Sequence, residues 1–219
     1  MAVKDFMTSK VIYVSPDTTV AHASDKMKAQ DLRRLPVIEN DRLVGLVTEG
    51  TMADATPSKA TSLSIYEMNY LLNKTKIRDI MIRDVITVSQ DASLEDAIYI
   101  MMKHKVGVLP VVDNDQLYGI ITDRDIFKAF LEVSGYGEEG LRLNILLNDT
   151  IGSLEKVVRV ISDANLNIHR TVVANHKSGK TLVEIQIQGQ ADTQALQKAM
   201  EEQGITVTSI MQTEAKAGF

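Results

Sequence analysis

The chain has 219 residues, a formal net charge of −5, 44% hydrophobic and 24% charged residues, and neither Cys nor Trp. That length allows one large domain or two to three small ones. The missing Cys excludes a disulfide framework, a thiolate metal site and a cysteine nucleophile. The acidic balance and the 5% aromatic content argue against a nucleic-acid partner, which wants a basic field and stacking rings. The opening MAVKDFMTSK has no apolar stretch of the kind a signal peptide carries, and no run approaches the roughly 20 apolar residues of a membrane span. A cytoplasmic protein with no membrane partner is expected.

In chain order, the first signal is a repeat. Residues 3–52 lie over 77–126 without a gap, an offset of 74 (77 less 3). VIYVSPD (11–17) meets VITVSQD (85–91), and LPVIEND (35–41) meets LPVVDND (109–115). Asp5, Met7, Ala23, Met27, Gly45 and Thr48 meet Asp79, Met81, Ala97, Met101, Gly119 and Thr122. Each copy, of about 55 residues, is too small for a sturdy core alone, so the two are expected to pack on each other as a pseudo-twofold pair.

Both copies predict the order β-α-β-β-α. VITV (85–88) alternates and is β-branched, which suits a strand. Ser89 and Asp91 offer helix-capping chemistry, and Leu94, Ala97, Ile98, Met101 and Met102 recur at helical spacing as one apolar face. VGVLPVV is a strand, DNDQ (113–116) a hairpin turn, and Tyr118 to Ile121 the partner strand. TDRD (122–125) turns the chain into a second helix, IFKAFLEV. The first copy writes the same turn as TEGT (48–51), so Thr51 stands where the second copy has Asp125.

Between the copies, TPSKATS has loop composition, and SLSIYEMNYLL predicts a short connector helix with Ile65, Met68 and Leu72 on one face. SGYGEEG (134–140) is a candidate hinge. Beyond it the strands LRLNILL, IHRTVVAN, KTLVEIQIQ and ITVTSIMQT and the helices EKVVRVISDANLN and TQALQKAMEEQ give the order βαββαβ, a ferredoxin-like pattern. The expected segments are repeat one at 1–56, a linker with a short helix at 57–75, repeat two at 76–133, the hinge, and a third domain at 141–214. The fold class is α+β.

The repeated pattern of VITV, LPVVD and the G-I-I-T-x-x-D turn resembles the CBS domain, and two in tandem resemble a Bateman module. In the third domain Asp149, Gly152 and Leu154 in D-x-x-G-x-L, with NLNI opening the second strand, resemble an ACT domain. The combination is similar to proteins of the acetoin-utilisation AcuB type. The CBS resemblance implies an adenosine-containing ligand (AMP, ADP, ATP, S-adenosylmethionine or a cyclic dinucleotide) in the cleft between the copies, with no cofactor required. It implies a site of Thr122, Asp125, Arg124, Thr87, Leu109 and Pro110, joined by Arg33 and Arg34 from the first copy. The local chemistry agrees: an ionised carboxylate can accept both ribose hydroxyls, and a helix N-terminus suits a phosphate. The alternative for Asp123 and Asp125 is plain helix capping, and for the arginines plain surface charge. Thr51 supplies no charged acceptor, which predicts one competent site and one degraded site.

The ACT resemblance implies a small ligand such as an amino acid near Asn148, Asp149, Ile151 and Gly152. Gly152 allows close backbone approach, and the alternative is that it only closes a tight turn. Both resemblances imply a homodimer. The function they imply is a non-enzymatic sensor that passes its ligand state to a regulated protein; the alternative is a ligand-free scaffold with vestigial pockets. An enzyme is not expected, since no nucleophile–base pair stands out. His22, His104, His169 and His176 have no metal-ligand spacing. ANHKSGKT (174–181) loosely fits a phosphate loop, but a strand follows where a helix is needed, so KSGK is a hairpin turn. NKT (73–75) and NDT (148–150) match glycosylation sequons, which carry no meaning in a cytoplasmic chain.

Overall fold

The computed structural model describes residues 1–56 and 64–216. Two compact units divide the chain at Ile126 and Phe127. In the first unit, copy one comprises α1 (Val20–Ala29), β1 (Arg34–Glu39), β2 (Arg42–Thr48) and α2 (Glu49–Asp54). After the connector helix α3 (Ile65–Lys74) and the short α4 (Ile77–Ile80), copy two comprises α5 (Leu94–His104), β3 (Val108–Asp113), β4 (Gln116–Thr122) and the start of α6 (Asp123–Val133), which runs on past the division at Ile126. Each copy carries one antiparallel hairpin. Both hairpins turn through two residues of positive φ, Asn40 and Asp41 (50° and 61°) and Asn114 and Asp115 (50° and 64°). These residue types tolerate that conformation, and a two-residue turn of this hand matches strand twist.

Three local expectations are corrected. The first strand of each copy shrinks to a single parallel bridge, Val14 to Val37 and Val88 to Val111. Val14 donates to the Pro36 carbonyl and accepts from the Ile38 N–H, but Pro36 has no N–H to carry the ladder further; Pro110 stops the second copy the same way. The cap of α5 is Ser93, in a reciprocal box with Asp96, and the cap of α1 is Thr19. Ser89 instead accepts the N–H of Asp91 within the preceding turn. On α5, Leu94, Ala97 and Met101 are buried and Ile98 half-buried, whereas Met102 is 74% exposed.

The copies also exchange their leading segments. Around a 3-10 turn at Val3–Asp5, the Val3 N–H donates to Ala92 and the Lys4 N–H to Gln90, both in copy two. Thr8 and Ile120 exchange both backbone hydrogen bonds at 2.9 and 3.0 Å. In mirror fashion the Ile77 N–H donates to Thr18 and the Arg78 N–H to Pro16, and Ile82 pairs with Leu46. Ile77, written in the second repeat, is fully buried in the core of the first, among Val20, Leu35, Val37 and Val47. Val3 is likewise fully buried. Gly119 makes the crossing possible: a Cβ there would stand 2.5 Å from Met7 Sδ, and one on Gly45 2.5 Å from Met81 Sδ.

α3 is capped by Ser64 in a box with Glu67, and its Leu72 packs on the first copy's core. Met68 and Leu72 are half-buried as expected of one face. The side chain of Ile65 and the loop at 57–63 lie outside the described residues.

The second unit holds β5 (Gly140–Leu147), α7 (Ser153–Asp163), β6 (Asn167–Asn175), β7 (Thr181–Gln188), α8 (Thr193–Glu202) and β8 (Thr206–Thr213). The four strands form one antiparallel sheet in the order β6-β7-β5-β8. One sheet face supplies Leu141, Leu143, Ile145, Val183, Ile185 and Ile187, which share a core with Val157 and Ile161 of α7 and Leu196 and Met200 of α8.

The segment expected as a hinge is strapped to this sheet. Arg142 Nη2 donates to the carbonyls of Ser134 and Gly135 at 3.2 and 3.3 Å. Glu138 Oε1 accepts from Arg170 Nε and Nη2 at 2.9 and 2.7 Å, and its other oxygen lies 2.8 Å from His169 Nδ1. The Arg170 hydrogen bonds hold the Glu138 carboxyl below its ordinary range, against the opposing effect of desolvation. Glycine and glutamate composition therefore marked a tied turn rather than a free joint.

Candidate ligand site

The two strand-to-helix turns of the first unit separate capping from charge. In copy two, Asp125 Oδ2 accepts from both the N–H and the hydroxyl of Thr122 at 2.7 Å, and the Asp125 N–H returns to Thr122 Oγ1 at 3.4 Å. In copy one, Thr51 Oγ1 accepts from the Thr48 N–H at 2.9 Å, and the Thr51 N–H returns to Thr48 Oγ1 at 3.2 Å. A neutral threonine thus closes the same reciprocal cap. Capping does not explain the acid at 125, because the first copy caps without one. Asp125 also keeps a second oxygen, Oδ1, that makes no hydrogen bond among the described residues.

The arginines divide between the copies by what stands opposite them. Arg33 lies 3.8 Å from Glu49 of its own copy's turn, with both side chains largely exposed. The copy-related position in copy two is Gly107, so Asp123 has no such neighbour. Arg34 of copy one reaches it instead, with Nη1 at 3.8 Å from Asp123 Oδ1. A Cβ on Gly107 would fall 2.8 Å from Arg34 Nη2 and from Asp123 Oδ2, so the glycine makes room for this contact across the copies.

A cavity of about 250 Å³ opens at this junction. Copy two contributes Thr122, Arg124 and Asp125, and copy one contributes Arg33, Arg34 and Pro36. Five of the eight expected site residues therefore meet in one place. Thr87, Leu109 and Pro110 do not line it: Leu109 is fully buried in the core and Pro110 is buried. The reason is the pairing of the copies. The turn at Asp125 opens toward the first copy, whose Ile12, Leu32 and Pro36 supply much of the apolar wall, with Ile120 of β4 added by the second copy. Thr8 and Lys10 also line the cavity and were missed. They arrive through the exchanged leading segment, which hydrophobic periodicity does not reveal.

In the second unit, Asn148, Asp149, Ile151 and Gly152 all lie on an exposed turn before α7. Gly152 occupies the helix N-cap at φ 84° and leaves it without a side-chain cap. A groove of about 400 Å³ beside it is lined by Ile151 and Gly152 with Glu155, Lys156 and Arg159; Asn148 and Asp149 stand outside it. Among the described residues no group of three His, Asp or Glu side chains is placed to hold a metal, and no helix is long and apolar enough to cross a membrane.

Residues 3–57 and 77–132 match the CBS domain family. The chain belongs to that family. The match ends at 132 and does not reach the sheet of the second unit. Among curated proteins the chain is 30% identical over 125 residues to the CBS domain-containing protein YhcV of Bacillus subtilis, covering 57% of this chain and 82% of that one. Among solved structures it is similar to a Vibrio cholerae protein described as a candidate acetoin utilization protein, AcuB: 32% identity, TM-score 0.52, covering 63% of this chain and 98% of that one. It is also similar to CBSX2 in complex with AMP: 29% identity, TM-score 0.50, covering 60% of this chain and 97% of that one.

Proposed function

We propose that this protein is a non-enzymatic regulator that senses an adenine nucleotide in the cleft of its CBS pair and passes the bound state to a partner protein. One observation carries the reading. The Thr122–Asp125 turn, with a carboxylate oxygen to spare, opens on the same cavity as Arg34 and Arg33 of the other copy. A ribose diol is an acceptable partner for that carboxylate, and a phosphate for those guanidiniums. The AMP complex of the similar protein CBSX2 supports the ligand class. A ligand phosphate competes with Asp123 for Arg34, a contact that ties the copies together. Sensing is thereby linked to the fit of one copy on the other.

The second unit is read as ACT-like, on its βαββαβ order and the uncapped turn at Gly152, with a small carboxylate-bearing metabolite such as an amino acid as the ligand of that turn. The working form is taken to be a cytoplasmic homodimer.

The test is a thermal-shift and titration series of the full chain and Asp125→Ala against AMP, ADP, ATP and S-adenosylmethionine. Losing a hydrogen bond to a charged group costs roughly 1.5–3 kcal/mol, so the variant should bind about ten- to a hundredfold more weakly. Absence of any shift in the wild type with all four compounds would leave the pair a scaffold with unused pockets.

A further inference from the structure

The cavity beside Asp125 carries more basic side chains than the copy-related positions supply. Lys10, Arg33, Arg34 and Arg124 line it, against the acids Asp31 and Asp125. The repeat offset puts Asp84, Gly107, Val108 and Gly50 at the four basic positions and Lys105 opposite Asp31, so the copy-related lining holds one base and one acid. Two of the four are answered by protein acids, Arg33 by Glu49 and Arg34 by Asp123, each at 3.8 Å. Lys10 and Arg124 form no ion pair among the described residues. Both are exposed, and they reach the cavity from opposite copies.

Like charges at one cavity repel each other and any cationic ligand, and an anion with several charges relieves that repulsion. A lone ribose–carboxylate contact would need none of them. We propose that the cleft selects adenosine carrying a chain of phosphates and rejects the sulfonium-bearing S-adenosylmethionine, with Lys10 and Arg124 as its specificity-determining residues. This rests on the adenosine reading of the cavity given above and adds the charge that its ligand must bring.

The experiment is calorimetric titration of the full chain, wild type and the variants Lys10→Ala, Arg124→Ala and Asp125→Ala. The probes are adenosine, AMP, ADP, ATP, S-adenosylmethionine and inorganic tripolyphosphate. Wild-type affinity should rise with each phosphate and fall with added salt. Lys10→Ala and Arg124→Ala should each weaken ATP by about three- to tenfold and leave adenosine unchanged. Asp125→Ala should weaken every adenosine compound. S-adenosylmethionine binding as tightly as ATP would overturn the selectivity while leaving the adenosine site standing, as would equal losses for adenosine and ATP in the Lys10 variant. Tripolyphosphate matching ATP would overturn it too, because adenosine would then contribute nothing. Failure of every adenosine compound to bind would remove the adenosine reading, and the selectivity with it.

Discussion

Copy one and copy two of the first unit share a backbone plan and differ in charge. Their hairpins turn through the same two positive-φ residues, their glycines admit the same methionines, and their leading segments cross in the same way. The difference lies at a few polar positions: Thr51 against Asp125, Arg33 against Gly107, Arg34 against Val108 and Lys10 against Asp84. Packing positions keep the duplication symmetrical, and a handful of surface-facing ones make the two clefts chemically unlike. Symmetry of fold is therefore compatible with a single working site.

The sharpest way to break the comparison is at the crossing. Ile77→Ala removes a fully buried side chain from the core of copy one, although the residue belongs to the second repeat. It should cost about 2–5 kcal/mol, and hydrogen exchange should quicken at β1 and β2. Exchange confined to copy two would mean that the copies do not share cores. Next in size are Gly119→Ala and Gly45→Ala. Each sets a methyl against a methionine sulfur and the backbone beyond it, at about 1–3 kcal/mol in denaturant unfolding. Equal losses would affirm the symmetry of packing; a silent substitution on either side would deny it.

Smaller effects sharpen the contrast between the turns. Asp125→Thr copies the first turn, so stability should change by less than the roughly 0.5–2 kcal/mol of a lost cap, while nucleotide binding weakens about ten- to a hundredfold. Thr51→Asp is the reverse exchange. It should also fold normally, yet give no second site, because its cleft has Asp84 and Val108 where the cleft beside Asp125 has Lys10 and Arg34. A second equivalent of nucleotide in titrations of that variant would show that the acid alone decides.

The smallest effect lies within the second unit. The Glu138 carboxyl is held below its ordinary value of 4.5 by hydrogen bonds from Arg170. A group whose folded pKa is depressed stabilises the protein above its unfolded pKa, and that stability fades as pH falls through the folded one. Acid below about pH 4.5 should therefore loosen the 134–140 strap, and Glu138→Gln should flatten that dependence. A pH profile unchanged by the substitution would remove the strap from the account.

What could be read from the residues was whatever repeats or alternates. The duplication, the hairpins, the βαββαβ order and the meeting of Thr122 and Asp125 with Arg33 and Arg34 all follow from spacing or from the family resemblance. The leading strands were overread, because alternation at VITV says nothing of the proline across from it. Thr87, Leu109 and Pro110 came from the family resemblance alone, and no spacing in the sequence tests whether they reach the cavity. Lys10 carries no pattern that points to the cavity. Its approach to Asp125 depends on which copy the first ten residues join, and a pattern that aligns equally well on both copies carries no information on that choice.

The exchange of leading segments also sets an order of events during synthesis. Residues 1–8 are synthesised well before their hydrogen-bonding partners, which extend to Ile120. Copy one lacks Ile77 until the whole connector has been made. Neither half can settle on local contacts alone, and loop closure over such separations slows folding. The duplicated chain should therefore gain its structure late and in one step, and a nascent fragment ending before Ile120 should remain a client for chaperones.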